Sequence, residues 1–412
     1  MALVTSVPSG PLAVRNFRFF AASDVVSTLG SAIAVVALPF AVLSTGGGAA
    51  GIGVVTTANL VLMAAFFLVG GVVSDRVSRL SVMVTGNVVQ AVAQLGSAAL
   101  VLSGWSATWS LAVLAALRGV GVGIYFPAAT GLVAQILPAP VLGRANAISR
   151  SSRSTAQIVG AGLGGVLVSV VGPGWGLAID GASYVLAGLL RLGMRMPPAP
   201  VPPRASALHD LKVGWAEFRG RTWLWTGVLQ FAVVAAAYQA AIGVLGPVVA
   251  QDSLGGARSW GWITAAVSIG AVAGGLVLVR YTPGRLLVAA SLGLMLMSGL
   301  MFALAVPLPI GLVLAAAGLS GICREVFTIN WATTLQSHVD QSVLSRISAY
   351  DSLGGYVLAP IGGAVAGPLA EAFGVRPVLL CCGVLTVGTT AAALAVRDIR
   401  AIRPVAAVPE RR

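Results

Sequence analysis

What this chain has little of decides most of what it is. Of its 412 residues only 9% are charged, and 12 acids face 25 basic residues, of which Lys212 is the one lysine. A soluble protein carries roughly a quarter charged residues, so this chain cannot cover its surface in water. The two histidines, His209 and His338, and three cysteines, Cys323, Cys381 and Cys382, leave little material for a metal centre or a histidine-based catalytic site. The cysteines all lie in apolar runs, and adjacent Cys381 and Cys382 are poorly placed to bridge, so neither a disulfide framework nor a metal site is expected. No nucleophile–base set and no phosphate loop occurs, which argues against an enzyme and against nucleotide hydrolysis as the energy source. No cofactor is expected.

What is present is hydrophobic: 57% of residues are apolar and the mean hydropathy is +0.94. About twelve apolar runs of roughly 20 residues fit into the chain, the length a helix needs to cross a bilayer. The runs are continuous, not alternating, which selects helices over a barrel. They read as 17–44, 51–73, 80–103, 108–134, 146–171 and 174–195, then 222–250, 259–279, 284–306, 308–334, 345–371 and 375–396. The expected fold is an all-α integral membrane protein with twelve transmembrane helices in two six-helix pseudo-symmetric halves. The polar start lacks a small-x-small cleavage site, so the first span is expected to be a retained anchor.

Charge orients the spans. With the N-terminus inside, the inner loops and tails carry Arg15, Arg18, Arg76, Arg79, Arg144, Arg150, Arg153, Arg195, Arg204, Lys212, Arg219, Arg221, Arg280, Arg285, Arg346, Arg397 and Arg400, while the outer loops carry only Arg258 and Arg376. That asymmetry places both termini in the cytoplasm. It also accounts for the net charge of +13 without a nucleic-acid partner, because the arginines are scattered through short loops. The segment 196–221 opens as a stiff PPAPVPPR and continues as HDLKVGWAEFRGR, an amphipathic helix for the inner membrane surface. It divides the chain into 1–195, a linker 196–221, 222–400 and a tail 401–412. Val141-Leu142-x-Arg144-x-x-Ala147 recurs as Val343-Leu344-x-Arg346-x-x-Ala349, and Gly172 as Gly374, at one offset of 202. This repeat supports two similar halves.

The charged break Gly70–Arg79, GGVVSDRVSR, separates two long apolar runs. Small residues let two helices turn closely, and Asp75, Arg76 and Arg79 sit where charge costs little. The spacing Gly71-x-x-x-Asp75-Arg76-x-x-Arg79 resembles the loop signature of the major facilitator superfamily, with Ser78 where the family usually has glycine. The chain is similar in RNFRFF…VALPFAV, LGRANAISRSSRSTAQIVGAGLGG and LSRISAYDSLGG…PLAEAFG to the drug-exporter branch that includes macrolide efflux and enterobactin export proteins. The resemblance implies secondary active transport by alternating access, as export of an amphiphilic compound in exchange for protons. It also implies a gating role for Gly71, Asp75, Arg76 and Arg79. Two departures stand out. The family's Gly-Pro-x-x-Gly-Gly pattern appears as Gly160-Ala161-Gly162-Leu163-Gly164-Gly165, without its proline, and the matching loop of the second half has Val279 opposite Asp75.

Charges inside the spans cost several kcal/mol unless paired or hydrated, so they mark function. Asp24 shares its helix with Ser27, Thr28 and Ser31 and is read as a proton or cation site, or else as a structural charge paired with Arg18. Arg118, in RGVGVG, matches the family's fourth-helix arginine; it holds a carboxylate ionised or contacts substrate, or pairs with Asp24. Arg324 and Glu325 point about 100° apart on one helix, with Glu325 the first candidate for the titrating group and a fixed Glu–Arg pair the alternative. Asp180 is a second titrating candidate, while Asp351 is expected to pair with Arg280, Arg285 or Arg346. Tyr125, Gln230, Tyr238, Gln239, Asn330 and Trp331 are candidates to line a substrate cavity, the aromatic rings offering flat faces to an amphiphile; packing or interfacial anchoring is the alternative for each. Gly119/Gly123, Gly160/Gly164, Gly270/Gly274 and Gly363/Gly367 read as helix contacts.

The expected function is proton-coupled efflux of a hydrophobic or amphiphilic small molecule in a bacterial plasma membrane, with the lipid bilayer, protons and substrate as partners and one chain forming the pathway as a monomer. Uptake by symport or uniport and a non-transporting membrane receptor or scaffold are the alternatives.

Overall fold

A computed structural model of the protein describes residues 10–74, 76–194, 215–281, 283–340, 343, 347–348, 350–351, 354–355 and 357–403. Among these residues there are helices and no strands. The first half contains α1 (Arg15–Ser44), α2 (Gly48–Ser74), α3 (Arg79–Leu102), α4 (Thr108–Ile136), α5 (Ala139–Val171) and α6 (Pro173–Leu192). The second contains α7 (Thr222–Tyr238), a π-helical stretch (Gln239–Leu245), α8 (Gly246–Ser253), α9 (Ala257–Arg280), α10 (Leu286–Met297), α11 (Gly299–Ala305), α12 (Ile310–His338), α13 (Ala359–Phe373), α14 (Val375–Ala395) and the short α15 (Arg397–Ala401).

Ten helices among the described residues are long and apolar enough to cross a membrane, counting α7 through α8 as one and α10 with α11 as one. Of the twelve expected spans, α6 and the 15-residue α13 fall outside that set. Asp180 and Arg191 lower the mean hydropathy of α6, and both are buried in the fold. Most of the linker 196–221 lies outside the described residues; of its visible end, Trp215 and Phe218 stack with centroids 5.8 Å apart and both meet Tyr350.

The chain divides into two compact units. The first is residues 1–203 with 250–265, and the second is residues 204–249 with 266–412. In the first, α1 packs on α5 and α6, α2 packs on α4, and α3 packs on α4 and α6. The close approaches are made at glycine. A Cβ at Gly123 would lie 2.6 Å from the Met63 carbonyl of α2, and one at Gly164 would lie 2.9 Å from the Ile33 backbone of α1. Between helices in lipid, such contact replaces the hydrophobic drive available in water. α5 runs unbroken through the stretch 160–165, where Gly160 and Gly164 serve contact with α1. In the second unit Gly270 and Gly274 of α9 meet the backbone of α12 at Gly318 and Ile322 in the same way.

The internal repeat extends to backbone geometry. Gly172 closes α5 at φ 90 and ψ 166, and Gly374 closes α13 at φ 87 and ψ 155. Each amide hydrogen-bonds the carbonyl four residues back. An L side chain resists that positive φ, which explains glycine at both ends of the 202-residue offset.

Candidate functional site

The first unit brings together polar residues that lie far apart in sequence. Asp180 of α6 is fully buried, and its carboxylate accepts hydrogen bonds from Gln94 Nε2 of α3 and from Ser31 Oγ of α1, the latter at 3.4 Å. Ser31 Oγ also lies 2.8 Å from the Tyr184 hydroxyl, one turn along α6 from Asp180. Arg118 Nη2 of α4 donates to that hydroxyl at 3.3 Å. A guanidinium can only donate, so the chain of bonds runs from Arg118 through Tyr184 to Ser31, whose single proton is shared between the Ser27 carbonyl at 2.8 Å and the carboxylate at 3.4 Å. Arg118 and Asp180 act on one another by electrostatic reach. Four helices hold this network, and Arg118 Nε is buried in it without a hydrogen-bond partner among the described residues.

A second cluster lies on the same unit. Asp24 is held by two nitrogens of Arg153 on α5: Nη2 donates to Oδ1 at 2.8 Å and Nε donates to Oδ2. The carboxylate therefore pairs with Arg153 and not with Arg18 or Arg118. The Arg153 side chain is 41% exposed, whereas that of Asp24 is nearly covered. Tyr125 of α4 is within electrostatic reach of both and of Arg191. Arg191 is fully buried near the end of α6. Its Nη2 donates to the Tyr125 hydroxyl at 2.7 Å and its guanidinium lies 4.9 Å from the ring centroid. Its Nε and Nη1 have no hydrogen-bond partner among the described residues.

Of the expected gate, Asp75 lies outside the described residues. Arg76 is exposed in the turn after α2 and Arg79 opens α3, while Gly71 faces open space. Ser78, the departure from the family pattern, caps α3: its hydroxyl accepts from the Ser81 amide at 3.1 Å. That satisfies one of the free N–H groups at a helix start, which a glycine could not do through a side chain.

The second unit is built differently. Glu325 is half-buried on α12 beside Gly274 of α9, where an added Cβ would stand 3.2 Å from the Glu325 Cβ, and neighbouring Arg324 is exposed. Gln230 is buried and joins three helices, donating to Thr390 at 3.4 Å and accepting from Ser291 at 3.3 Å. Asn330 is buried and turned to its own helix, donating to the Val326 carbonyl. Gln239 opens the π-helical stretch, and Tyr238 precedes it, half-buried. Trp331 Nε1 donates to Asp351 at 2.9 Å, and of the arginines expected beside Asp351, Arg346 lies outside the described residues. Trp331 also continues an aromatic row: Phe231 stacks on Phe327 at 4.9 Å, Phe327 on Trp331 at 6.0 Å, and Trp223 meets Trp331 edge-on at 5.9 Å.

The structure therefore joins Asp180 to Arg118, places Asp24 with Arg153 beside Tyr125, and sets Glu325, Arg324 and the remaining cavity candidates in the second unit. Sequence reasoning passed over Gln94, Tyr184, Arg153 as a partner, and Arg191. A signal existed for two of them. Asn87, Gln90, Gln94 and Ser97 form a buried polar stripe at helical spacing on α3, and Tyr184 lies one turn from Asp180.

A multi-pass helical protein with ionisable groups buried in its spans has the architecture of a membrane transporter. The chain belongs to the Major Facilitator Superfamily, whose family model matches residues 20–363. It is 25% identical over 392 residues to the multidrug efflux pump Tap of Mycolicibacterium fortuitum, covering 92% of this chain and 93% of that protein. It is 30% identical over 346 residues to the enterobactin exporter EntS of Escherichia coli O127:H6, covering 77% and 78% of the two chains. Among solved structures, the nucleoside transporter NupG superposes with a TM-score of 0.73 at 14% identity, covering 92% of this chain and 98% of NupG. An inward-facing bacterial homologue of the human lysosomal transporter Spinster gives 0.69 at 16%, covering 93% and 97%. These likenesses show the fold, and membership of the family makes the chain a transporter of small molecules and not an enzyme.

Proposed function

We propose that this transporter is a proton-coupled exporter of a hydrophobic or amphiphilic small molecule, working by alternating access as a monomer in a bacterial plasma membrane with both termini cytoplasmic. The efflux proteins among its relatives support the direction. The observation that carries the coupling is the buried Asp180 network. The carboxylate is withdrawn from water, yet it faces the Gln94 amide and lies within electrostatic reach of the Arg118 guanidinium. A carboxylate under opposed influences of this kind, linked to a guanidinium on another helix, suits a group that loads and releases a proton. Asp180 and Asp24 act as proton acceptors in the first unit and Glu325 in the second. Arg118 and Arg324 tune them, and Asp75 with Gly71, Arg76 and Arg79 forms the inner gate. Tyr125, Gln230, Tyr238, Gln239, Asn330 and Trp331 face substrate in the course of the cycle.

The test is purified protein in liposomes loaded with a pH dye and challenged with lipophilic antibiotics and siderophores. A compound that discharges a preset pH gradient through wild-type protein, but not through Asp180→Asn, supports the reading. Equal discharge by wild type, Asp180→Asn and Glu325→Gln removes both carboxylates from the coupling role.

A further inference from the structure

Among the described residues of the first unit one wholly buried cation, Arg191, has no carboxylate partner. Asp24 pairs with Arg153 of α5 and Asp180 is within electrostatic reach of Arg118 of α4, whereas Arg191 of α6 meets Tyr125. Burying a cation without a counter-charge is costly, so an arrangement of this kind calls for an anion. Two observations locate the excess. Arg153 presents a partly exposed fork to the Asp24 carboxylate, gripping it with two nitrogens. Arg191, wholly buried on the far side of Tyr125, has a phenol and its ring as acceptors and keeps two nitrogens without a partner.

We propose that Arg153 is the docking cation for an acidic group of the transported molecule, a carboxylate or acidic phenol, and that Asp24 holds its place when no substrate is bound. Two-nitrogen recognition of a planar oxyanion is what a guanidinium does well, and a substrate carboxylate uses the same fork that Asp24 uses now. The Arg153 side chain is partly exposed, whereas Arg191 is wholly buried, so the exchange takes place at an accessible edge. Asp24, once displaced, turns toward the free nitrogens of Arg191 across Tyr125, so that no carboxylate is left buried and alone. Substrate and Asp24 then neutralise Arg153 and Arg191 together. The inference names the substrate class for the export reading and rests on it.

The probe is pyrenebutyrate, a lipophilic carboxylic acid, compared with its methyl ester by fluorescence polarisation on purified protein. The acid is expected to bind at least about tenfold more tightly than the ester, the worth of a charge-assisted bidentate contact. Arg153→Gln should erase that preference while leaving the ester's affinity in place, and Arg153→Lys should recover part of it. Asp24→Asn removes the competitor and should tighten acid binding. Arg191→Gln should weaken acid binding in the wild-type background but not in Asp24→Asn, where there is no carboxylate to rehouse; a merely structural role gives the same loss in both. Acid and ester binding alike, or Arg153→Gln weakening both equally, overturns the proposal. The pH-dye assay separates the two readings. Compound-driven proton movement with no acid preference leaves export standing and this inference refuted, while acid preference without proton movement does the reverse.

Discussion

Replacing Asp180 by asparagine is the most informative single perturbation, because it removes the charge and the titration while keeping the shape. The asparagine carbonyl can still accept from Gln94, so the fold loses little. One polar contact, that with Ser31, is weakened, a cost on the order of 1 kcal/mol. The consequence for coupling is larger. One carboxylate in the network carries one proton, and one proton moving down a gradient of one pH unit releases about 1.4 kcal/mol, enough to sustain roughly a tenfold substrate gradient. Wild-type vesicles at that gradient should therefore hold substrate about tenfold above equilibrium, and Asp180→Asn vesicles should hold it at equilibrium. Exchange of labelled for unlabelled substrate without any gradient should continue in the variant, since binding and the conformational cycle need no proton there. The assay is uptake of a transported compound into inverted vesicles with and without an imposed pH step. A tenfold gradient retained by Asp180→Asn would refute the assignment, and loss of exchange together with coupling would show that Asp180 holds the fold and not the proton.

Four further outcomes follow from the same contacts. Tyr184→Phe removes the hydroxyl between Arg118 and Ser31 and should slow gradient-driven efflux by about tenfold, the worth of one hydrogen bond to a charged donor. Gly227→Ala drives a methyl into the Trp331 ring, which Phe327, Trp223 and Asp351 hold in place; overpacking of this kind costs roughly 1–3 kcal/mol, read as a lower melting temperature in detergent. Ser78→Ala loses the cap of α3 and should cost about 1 kcal/mol in the same measurement, while Ser78→Gly should cost only a few tenths. Gln230→Leu leaves the hydroxyls of Ser291 and Thr390 without their shared partner and should destabilise by roughly 1–3 kcal/mol.

Composition was sufficient for the class, an all-helical membrane protein, because the bilayer imposes a length on each span. The family loop and the 202-residue repeat then followed from short stretches, and the repeat proved to reach the φ of Gly172 and Gly374. Individual buried charges were also legible, since an Asp or Arg within an apolar run is conspicuous. Their partners were not. Asp24 and Arg153 stand 129 positions apart and meet only because Gly160 and Gly164 let α5 lie close on α1. From the sequence, Arg153 counts as one more inner-loop arginine, because a 33-residue helix extends further than a membrane span and its entry point cannot be marked on a string of letters. Arg191 was hidden by the same ambiguity at the end of α6. Asp180, from the sequence a second titrating candidate, is fully buried where α6 packs on α1 and α3.

The two units divide their polar chemistry unequally, and that division constrains the mechanism. In the first, Asp24 is bonded to Arg153, Arg191 to Tyr125, and Asp180 to Gln94 within reach of Arg118, groups drawn from five helices. The described core of the second is held by neutral amide–hydroxyl bonds around Gln230 and by the row of aromatic rings from Phe231 to Trp223, with the Asp351 carboxylate on Trp331 and Glu325 on the same helix. Ionic networks respond steeply to protonation, because each proton changes a charge in a medium that screens it poorly. Aromatic surfaces respond to the size and flatness of what they contact and hardly to pH. Substitutions in the first unit should therefore move the pH dependence of transport and its dependence on substrate charge. Substitutions along the aromatic row should instead change which hydrophobic bodies are accepted while the pH profile stays in place. A transport survey of Arg118→Lys and Phe327→Ala across compounds matched in size but differing in charge separates the two effects. A shift of the pH profile by Phe327→Ala, or of size preference alone by Arg118→Lys, would show that the units do not divide the work in this way.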